Sequence, residues 1–385
     1  MQPKTAVRAR PFWDGQTHSA NSFESEFLVP FLIDAACGIA GYRDGIVDSI
    51  MRAPETILQL LQDQGVGLAW VPSATWAELW RWQAISRDAA IIPEIIYGGP
   101  VLVDRTPMSD RERWIRNSSD LSSALGVIDH EKGGWAIVQS DDTSFAQLVG
   151  DAARARGLRL AFRGPASCAD VLVGGDLFCG FANLGRAVLT QSVTDVLESW
   201  GRSPSQKVTD AGRAMMDRGV MISTELIAVN RTVFVKDSLQ TPFLELNEPI
   251  LPHVKWLLQM RRVGGFAAGK SALSSYAGLR EPSRTQYPIL REGWERLVDN
   301  AVTLFSEFDG LRPGSGAPQL AVLPGRGLRE ELILLHASGV PLLELLQRAT
   351  DRTSWSKKPE TRWLSTDKNP ADGGSFIASL RPWMG

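Results

Sequence analysis

The chain has 385 residues, 44% hydrophobic and 22% charged, with a net charge of −2: enough apolar side chain for a large core, and no compositional mark of disorder. Charges of both signs are interspersed without a long basic run, which argues against nucleic acid as a partner, and no apolar stretch approaches the ~20 residues of a membrane span. The opening MQPKTAVRARPFW lacks an apolar targeting core, and Cys37, Cys168 and Cys179 show no CxxC spacing, so a reduced, cytoplasmic setting is expected.

Along the chain, short apolar runs of strand length alternate with amphipathic stretches of helix length, the pattern of βα units on a parallel sheet. The expected strands are Leu28 to Ile33, Gly67 to Val71, Ala90 to Tyr97, Trp135 to Gln139, Leu158 to Arg163, Asp176 to Cys179, Val220 to Glu225 and Leu311 to Ser315. ETILQLLQDQG and SFAQLVGDAARARG read as helices between them, closed by Gly65 and Gly157, where a left-handed residue ends a helix. From Ile227 to Asn300 the connection is too long for one βα unit; it carries HVKWLLQMRR and GWERLVDNAVTLFSEF and reads as a helical insertion or lid, with Trp256 and Trp294 buried against the core. The end, from Thr353, reads as a loose tail with one strand.

LVPFLIDAACGIAG from Leu28 resembles the first strand of the amidohydrolase superfamily, whose phrase PGLIDAHxHxxG carries two metal-binding histidines. In the family's order follow GLRLAFRG from Gly157, GGDLFCGFANL from Gly174, GLRPGSGAP from Gly310 and LREELILLHASGVPLLELLQRAT from Leu328, similar to the phrases of strands five, six and eight and the last helix pair. LLQDQGVGLAWVPSA and IIYGGPVLV resemble segments of the imidazolonepropionase-like and Xaa-Pro dipeptidase-like branch. The resemblance implies a TIM-like (β/α)8 barrel over residues 28–350, with 227–300 as insertion, and a reduced or incomplete β-sandwich from 1–27 plus 351–385.

It also implies a metal site, and there the sequence departs from the family. The strand-one histidines fall on Ala36 and Gly38, the strand-five histidine on Arg163, the strand-six histidine on Gly180 and the strand-eight aspartate on Gly316; the strand-four position, near Val138 or Gln139, offers neither carboxylate nor amine. Glycine and alanine have no side-chain donor, and a guanidinium about 4 Å from a divalent cation is repelled by roughly 8 kcal/mol at an effective dielectric of 20. No metal or other cofactor is therefore expected. By strand alternation Cys37 and Cys179 should turn away from the vacated positions. The four histidines, His18, His130, His253 and His336, fall on none of them.

Two readings remain open, with an ordinary metal-dependent C–N bond hydrolase as a remote third. One is a pseudoenzyme, a binding or scaffolding subunit that forms a homodimer or pairs with an active amidohydrolase paralogue. The other is a metal-independent enzyme for a small anionic carboxylate or amide, with Glu225 and Asp34 moving protons and Arg163, Gln139, Cys37, Cys179 and Ser315 lining the substrate pocket. Asp309 is a further carboxylate placed near the same face. GGFAAGKS, residues 264–271, fits the P-loop pattern, but it follows a charged amphipathic helix where a P-loop follows a buried strand, so a glycine-rich connection is the expectation.

Overall fold

The computed structural model describes residues 10–11, 27–36, 54–71, 75, 80, 93–107, 112–130, 134–164, 171–172, 176–185, 193–202, 205–234, 283, 285–317, 322, 324–356 and 362–382. Cys37, Gly38, Cys168, HVKWLLQMRR with Trp256, and GGFAAGKS lie outside the described residues.

The architecture is mixed α/β around parallel strands. β3 (Leu32–Asp34), β4 (Val66–Val71) and β5 (Glu94–Tyr97) form a three-stranded parallel sheet. A seven-stranded parallel sheet runs in the order β12 (Leu311–Arg312), β11 (Met221–Ser223), β10 (Leu177–Phe178), β9 (Arg159–Arg163), β8 (Trp135–Gln139), β6 (Val101–Val103) and β7 (Glu112–Trp114). Backbone contacts join the two sheets on both sides: Gly98 bridges Trp135 in parallel, Ala35 N–H donates to Pro313 O at 3.0 Å and Gly316 N–H to Ala36 O at 2.8 Å.

Period-two alternation divides the strand side chains. Val138, Leu160, Phe162, Phe178, Ile222 and Leu311 join the core under the helices, while Ile33, Leu68, Trp70, Ile137, Ala161, Leu177 and Met221 pack on one another across an inner face. Outside lie α1 (Pro54–Asp63), α2 (Ser118–His130), α3 (Thr143–Arg154), α4 (Val193–Arg202), α5 (Ser205–Met216), α6 (Leu226–Val233), α7 (Tyr287–Glu307), α8 (Arg326–Ala337) and α9 (Leu342–Thr350). α1 and α3 stand where their amphipathic pattern put them. Gly65 and Gly157 follow them at φ +76° and +71°, and Asp142 caps α3 by accepting from Ser144 N–H. Trp294 on α7 is half-buried beside Phe234, ring centroids 6.5 Å apart.

Three expectations need correction. The strand drawn from Leu28 to Ile33 is two: β2 (Phe27–Pro30) leaves at Phe31 for a separate four-stranded sheet, and only Leu32–Asp34 enters the parallel one. The strand ending at Tyr97 resumes after Gly99 and Pro100 as β6, because proline has no N–H to continue a ladder. The tail is ordered as β13 (Trp363–Thr366), α10 (Gly374–Ser379) and β14 (Arg381–Pro382), with β13 antiparallel to β2 and β1 (Arg10–Pro11) on the far edge.

Candidate functional site

The C-terminal ends of consecutive parallel strands form the natural site of this fold class, since the βα loops converge there. Val103, Gln139 and Arg163 are register partners on β6, β8 and β9, so they share the inner face, and Gln139 and Arg163 are half-buried at its rim. Cys179 comes next in the row, since Phe178 pairs with Phe162 and Cys179 N–H donates to Phe162 O at 2.9 Å.

Cys179 corrects an expectation. It is fully buried with Leu177 and Met221 on the inner face and does not turn away from it. Strand alternation does not extend to Gly180, because β10 stops at Phe178 and the backbone turns at Gly180, φ +75°. Burial pushes the thiol up to about 12, with Arg163 lowering it and Glu225 raising it, so it stays a neutral packing group.

β11 stops at Ser223, short of the expected strand end, and Glu225 two residues on lies in the left-handed region, φ 54° and ψ 28°, the one positive φ outside glycine among the described residues; that conformation costs roughly 1–2 kcal/mol. It lets the chain pass from strand to α6 in two residues and leaves the carboxylate half-buried. Ser223 fixes that carboxylate. Its hydroxyl donates to Glu225 Oε1 at 2.6 Å and accepts from Gly180 N–H at 2.9 Å. A Cβ on Gly180 would stand 2.9 Å from Asn183 Nδ2 and 3.6 Å from Glu225 Oε2, so the glycine keeps the approach to the second carboxylate oxygen clear.

Asp34 and Ser315 do not join this group. Asp34 stands between the inward residues Ile33 and Ala35 and therefore faces the other way, fully buried. It accepts from Ser315 N–H at 2.8 Å, Ala36 N–H at 3.2 Å and the Ser315 hydroxyl at 2.6 Å, a clasp between β3 and the turn after β12. Asp309 is exposed at the opposite, N-terminal end of β12. Sequence reasoning also missed Glu331 on α8, fully buried, which accepts from Leu226 N–H (3.0 Å), Ile227 N–H (2.6 Å) and the Thr224 hydroxyl. A signal was present: Leu328, Glu331, Leu332 and Leu335 share one helix face, and a carboxylate inside an apolar stripe needs buried donors.

Burial raises two of these carboxyls, Asp34 from 3.8 to about 6 and Glu331 from 4.5 to about 7, against the hydrogen bonds that lower them. The folded protein thus holds these protons more tightly than the unfolded chain. Their contribution to stability falls as pH rises from about 4 to 7, by roughly 3 kcal/mol for Asp34. Asp34→Asn should flatten that fall in urea titrations at pH 5 and 7.5 while folding normally. The amide oxygen can accept from Ala36 and Ser315 N–H, and the amide nitrogen can donate to the Ser315 hydroxyl, which turns to Ala36 O, 3.3 Å away. An unchanged pH slope would count against the buried ionisation.

The described residues on which the resemblance puts metal ligands carry no side-chain donor for a divalent ion. Ala36 is buried with its Cβ against Gly314, Gly180 and Gly316 have φ of +75° and +61° and no side chain, and Arg163 brings a cation. Among the described residues, no three His, Cys, Asp or Glu side chains are grouped so as to hold a metal. No helix among them is long and apolar enough to cross a membrane.

No protein-family model matches the chain, and no curated protein matches it by sequence. Solved structures do. The bottromycin amidohydrolase AH superposes with a TM-score of 0.61 at 15% identity, over 92% of this chain and 75% of its own. A Xaa-Pro dipeptidase with methionine bound in its active site gives 0.60 at 11%, over 96% and 91%. The ochratoxinase of A. niger gives 0.54 at 9%, over 93% and 83%. These are amidohydrolase-superfamily structures, and at such identities the likeness is one of fold.

Proposed function

We propose that the chain is an amidohydrolase-like (β/α)8 barrel, closed through Gly98–Trp135 and through the β3–β12 contacts, that has lost metal-dependent hydrolysis and serves as a binding or scaffolding subunit. The sheet of β1, β2, β13 and β14 is then the reduced sandwich of the chain ends. The observation that carries the reading is the set of residues at the ligand positions: Ala36, Gly180 and Gly316 without donors, and a guanidinium at Arg163. Its partner is a second copy or an active amidohydrolase paralogue, and co-purification with mass measurement of the assembly tests that. Metal analysis of protein grown with zinc, manganese and iron should find well under one equivalent of each, and one bound equivalent that Arg163→Ala leaves in place would overturn the reading.

A second reading has its own support. Glu225 is held by Ser223 in a conformation its backbone resists, two strands from Arg163, an arrangement suited to a small anionic substrate anchored by paired N–H donors and worked on by a carboxylate. Asp34, enclosed in its clasp, has no part in it. With acetate, succinate and N-acetylglycine as probes, Arg163→Ala should weaken binding about tenfold or more. Equal affinities would remove this reading and leave the scaffold.

A further inference from the structure

The row of side chains that holds Gln139 and Arg163 continues on its other side to an aromatic ring. Trp114 on β7 is the register partner of Val103 on β6, Val103 of Gln139 on β8, and Gln139 of Arg163 on β9. Register partners on parallel strands point to the same side, and Val103 belongs to the inner face with Ile137, Ala161 and Leu177. Trp114 therefore ends a four-strand row on that face. It is 40% exposed, so the inner face is open to solvent at this end of the row.

The surroundings of β7 hold the ring in place. Glu112, the partner of Val101 on the same face, is clamped by Arg105 through two bonds of 3.0 and 3.1 Å. Ile115 is buried, and its N–H donates to Val103 O at 2.9 Å. The guanidinium of Arg116 lies 5.9 Å from the centre of the Trp114 ring and is tied back to Asp120 at 2.9 Å. Trp114 is thus anchored on both sides and still presents apolar surface to water. A ligand ring stacked on it would remove that surface from solvent and gain the preferred offset contact between aromatic groups. The exposed Val127, Leu148 and Leu343 offer nothing comparable, since they stand on the outer helices α2, α3 and α9.

Spacing sets the kind of molecule. Arg163 and Trp114 are three strand steps apart, about 14 Å between Cα atoms at ~4.8 Å a step. Their side chains shorten that gap without closing it, so one ligand reaches both only if several bonds separate its anionic group from its ring.

We propose that Trp114 is a specificity-determining residue of this rim, a stacking platform that selects carboxylates carrying an aromatic ring at the end of a flexible chain. The inference rests on the second reading above for the anion anchor at Arg163, and it supplies the other end of the ligand.

The experiment measures dissociation constants by titration calorimetry for butyrate, benzoate and 4-phenylbutyrate on the wild type, Arg163→Ala, Trp114→Ala and Trp114→Phe. The wild type should bind 4-phenylbutyrate about tenfold more tightly than butyrate, and benzoate, too short to span the row, no more tightly than butyrate. Trp114→Ala should bring 4-phenylbutyrate close to the affinity of butyrate, Trp114→Phe should keep part of the gain, and Arg163→Ala should weaken both acids. A gain that survives Trp114→Ala, or that benzoate shares, overturns the platform. So does the absence of any gain in the wild type while Arg163→Ala still weakens butyrate, a result that leaves the anchor standing. If neither acid binds, or Arg163→Ala changes neither, anchor and platform fall together.

Discussion

Glu331→Ala should lower stability by roughly 3–5 kcal/mol at neutral pH, one of the two largest effects we expect from a single substitution in this chain. The carboxylate is fully buried and satisfies three donors at once: the first two N–H groups of α6 and the Thr224 hydroxyl. A helix leaves its first N–H groups without intrahelical partners, and the α6 N-terminus has no capping bond from Glu225, whose left-handed backbone carries its side chain to Ser223. Glu331 therefore caps this helix from another one. Alanine would strand two buried N–H groups and a hydroxyl, and would remove the restraint behind Glu225. Glu331→Gln separates the parts: its oxygen can serve Thr224 and Leu226, but its amide faces the Ile227 N–H, so a loss of about 1–3 kcal/mol is expected. Denaturant unfolding of both variants provides the check. Should alanine and glutamine cost the same small amount, the cap contributes little and Glu225 is held in place by its own strand.

Much of the frame was legible because it rests on local pattern. The apolar runs ending at Val71, Gln139 and Arg163 are strands, and Gly65 and Gly157 end the helices before their neighbours, since period and left-handed glycine are properties of adjacent residues. What failed depended on where a strand stops. The inward face of Cys179 could not be counted through Gly180, and the division at Phe31 is marked in LVPFLID only by Pro30, which does not tell that the two apolar halves have different partners. The tail's single expected strand is two, because β13 pairs with β2, more than 300 residues earlier, and β14 pairs with β13, and no local period reports either. At the rim, the types at Arg163, Gly180 and Glu225 could be read, but not the hydroxyl of Ser223 between Gly180 and Glu225, which is a fact of tertiary geometry. Asp34 shows the converse: a carboxylate in a recognisable phrase looked chemical until its three donors appeared.

The other large effect concerns two helices that no site residue occupies. α7 crosses α4 at Gly293 and Gly201, and their backbones touch: a Cβ on Gly293 would fall on the carbonyl oxygen of Leu197, far inside van der Waals contact, and 3.0 Å from Gly201 N, while one on Gly201 would stand 2.7 Å from Ile289 O. Backbone cannot swing aside as a side chain can, so the whole of α7 must move outward. On an open helix surface glycine to alanine stabilises by about 1 kcal/mol. Here the sign should reverse, with Gly293→Ala losing about 1–3 kcal/mol and Gly293→Val more. The displacement has a path to the rim, because Trp200 on α4 is buried, donates its indole N–H to Ala182 O at 3.0 Å and packs on Phe181, the residue after Gly180. Gly293→Ala should therefore also weaken whatever binds beside Glu225, although the substitution lies on another helix. Unfolding and binding titrations on the same preparation test both halves. Gly293→Ala more stable than the wild type would show that the helices do not meet at these glycines, whereas lost stability with unchanged binding would confine the crossing to a packing role.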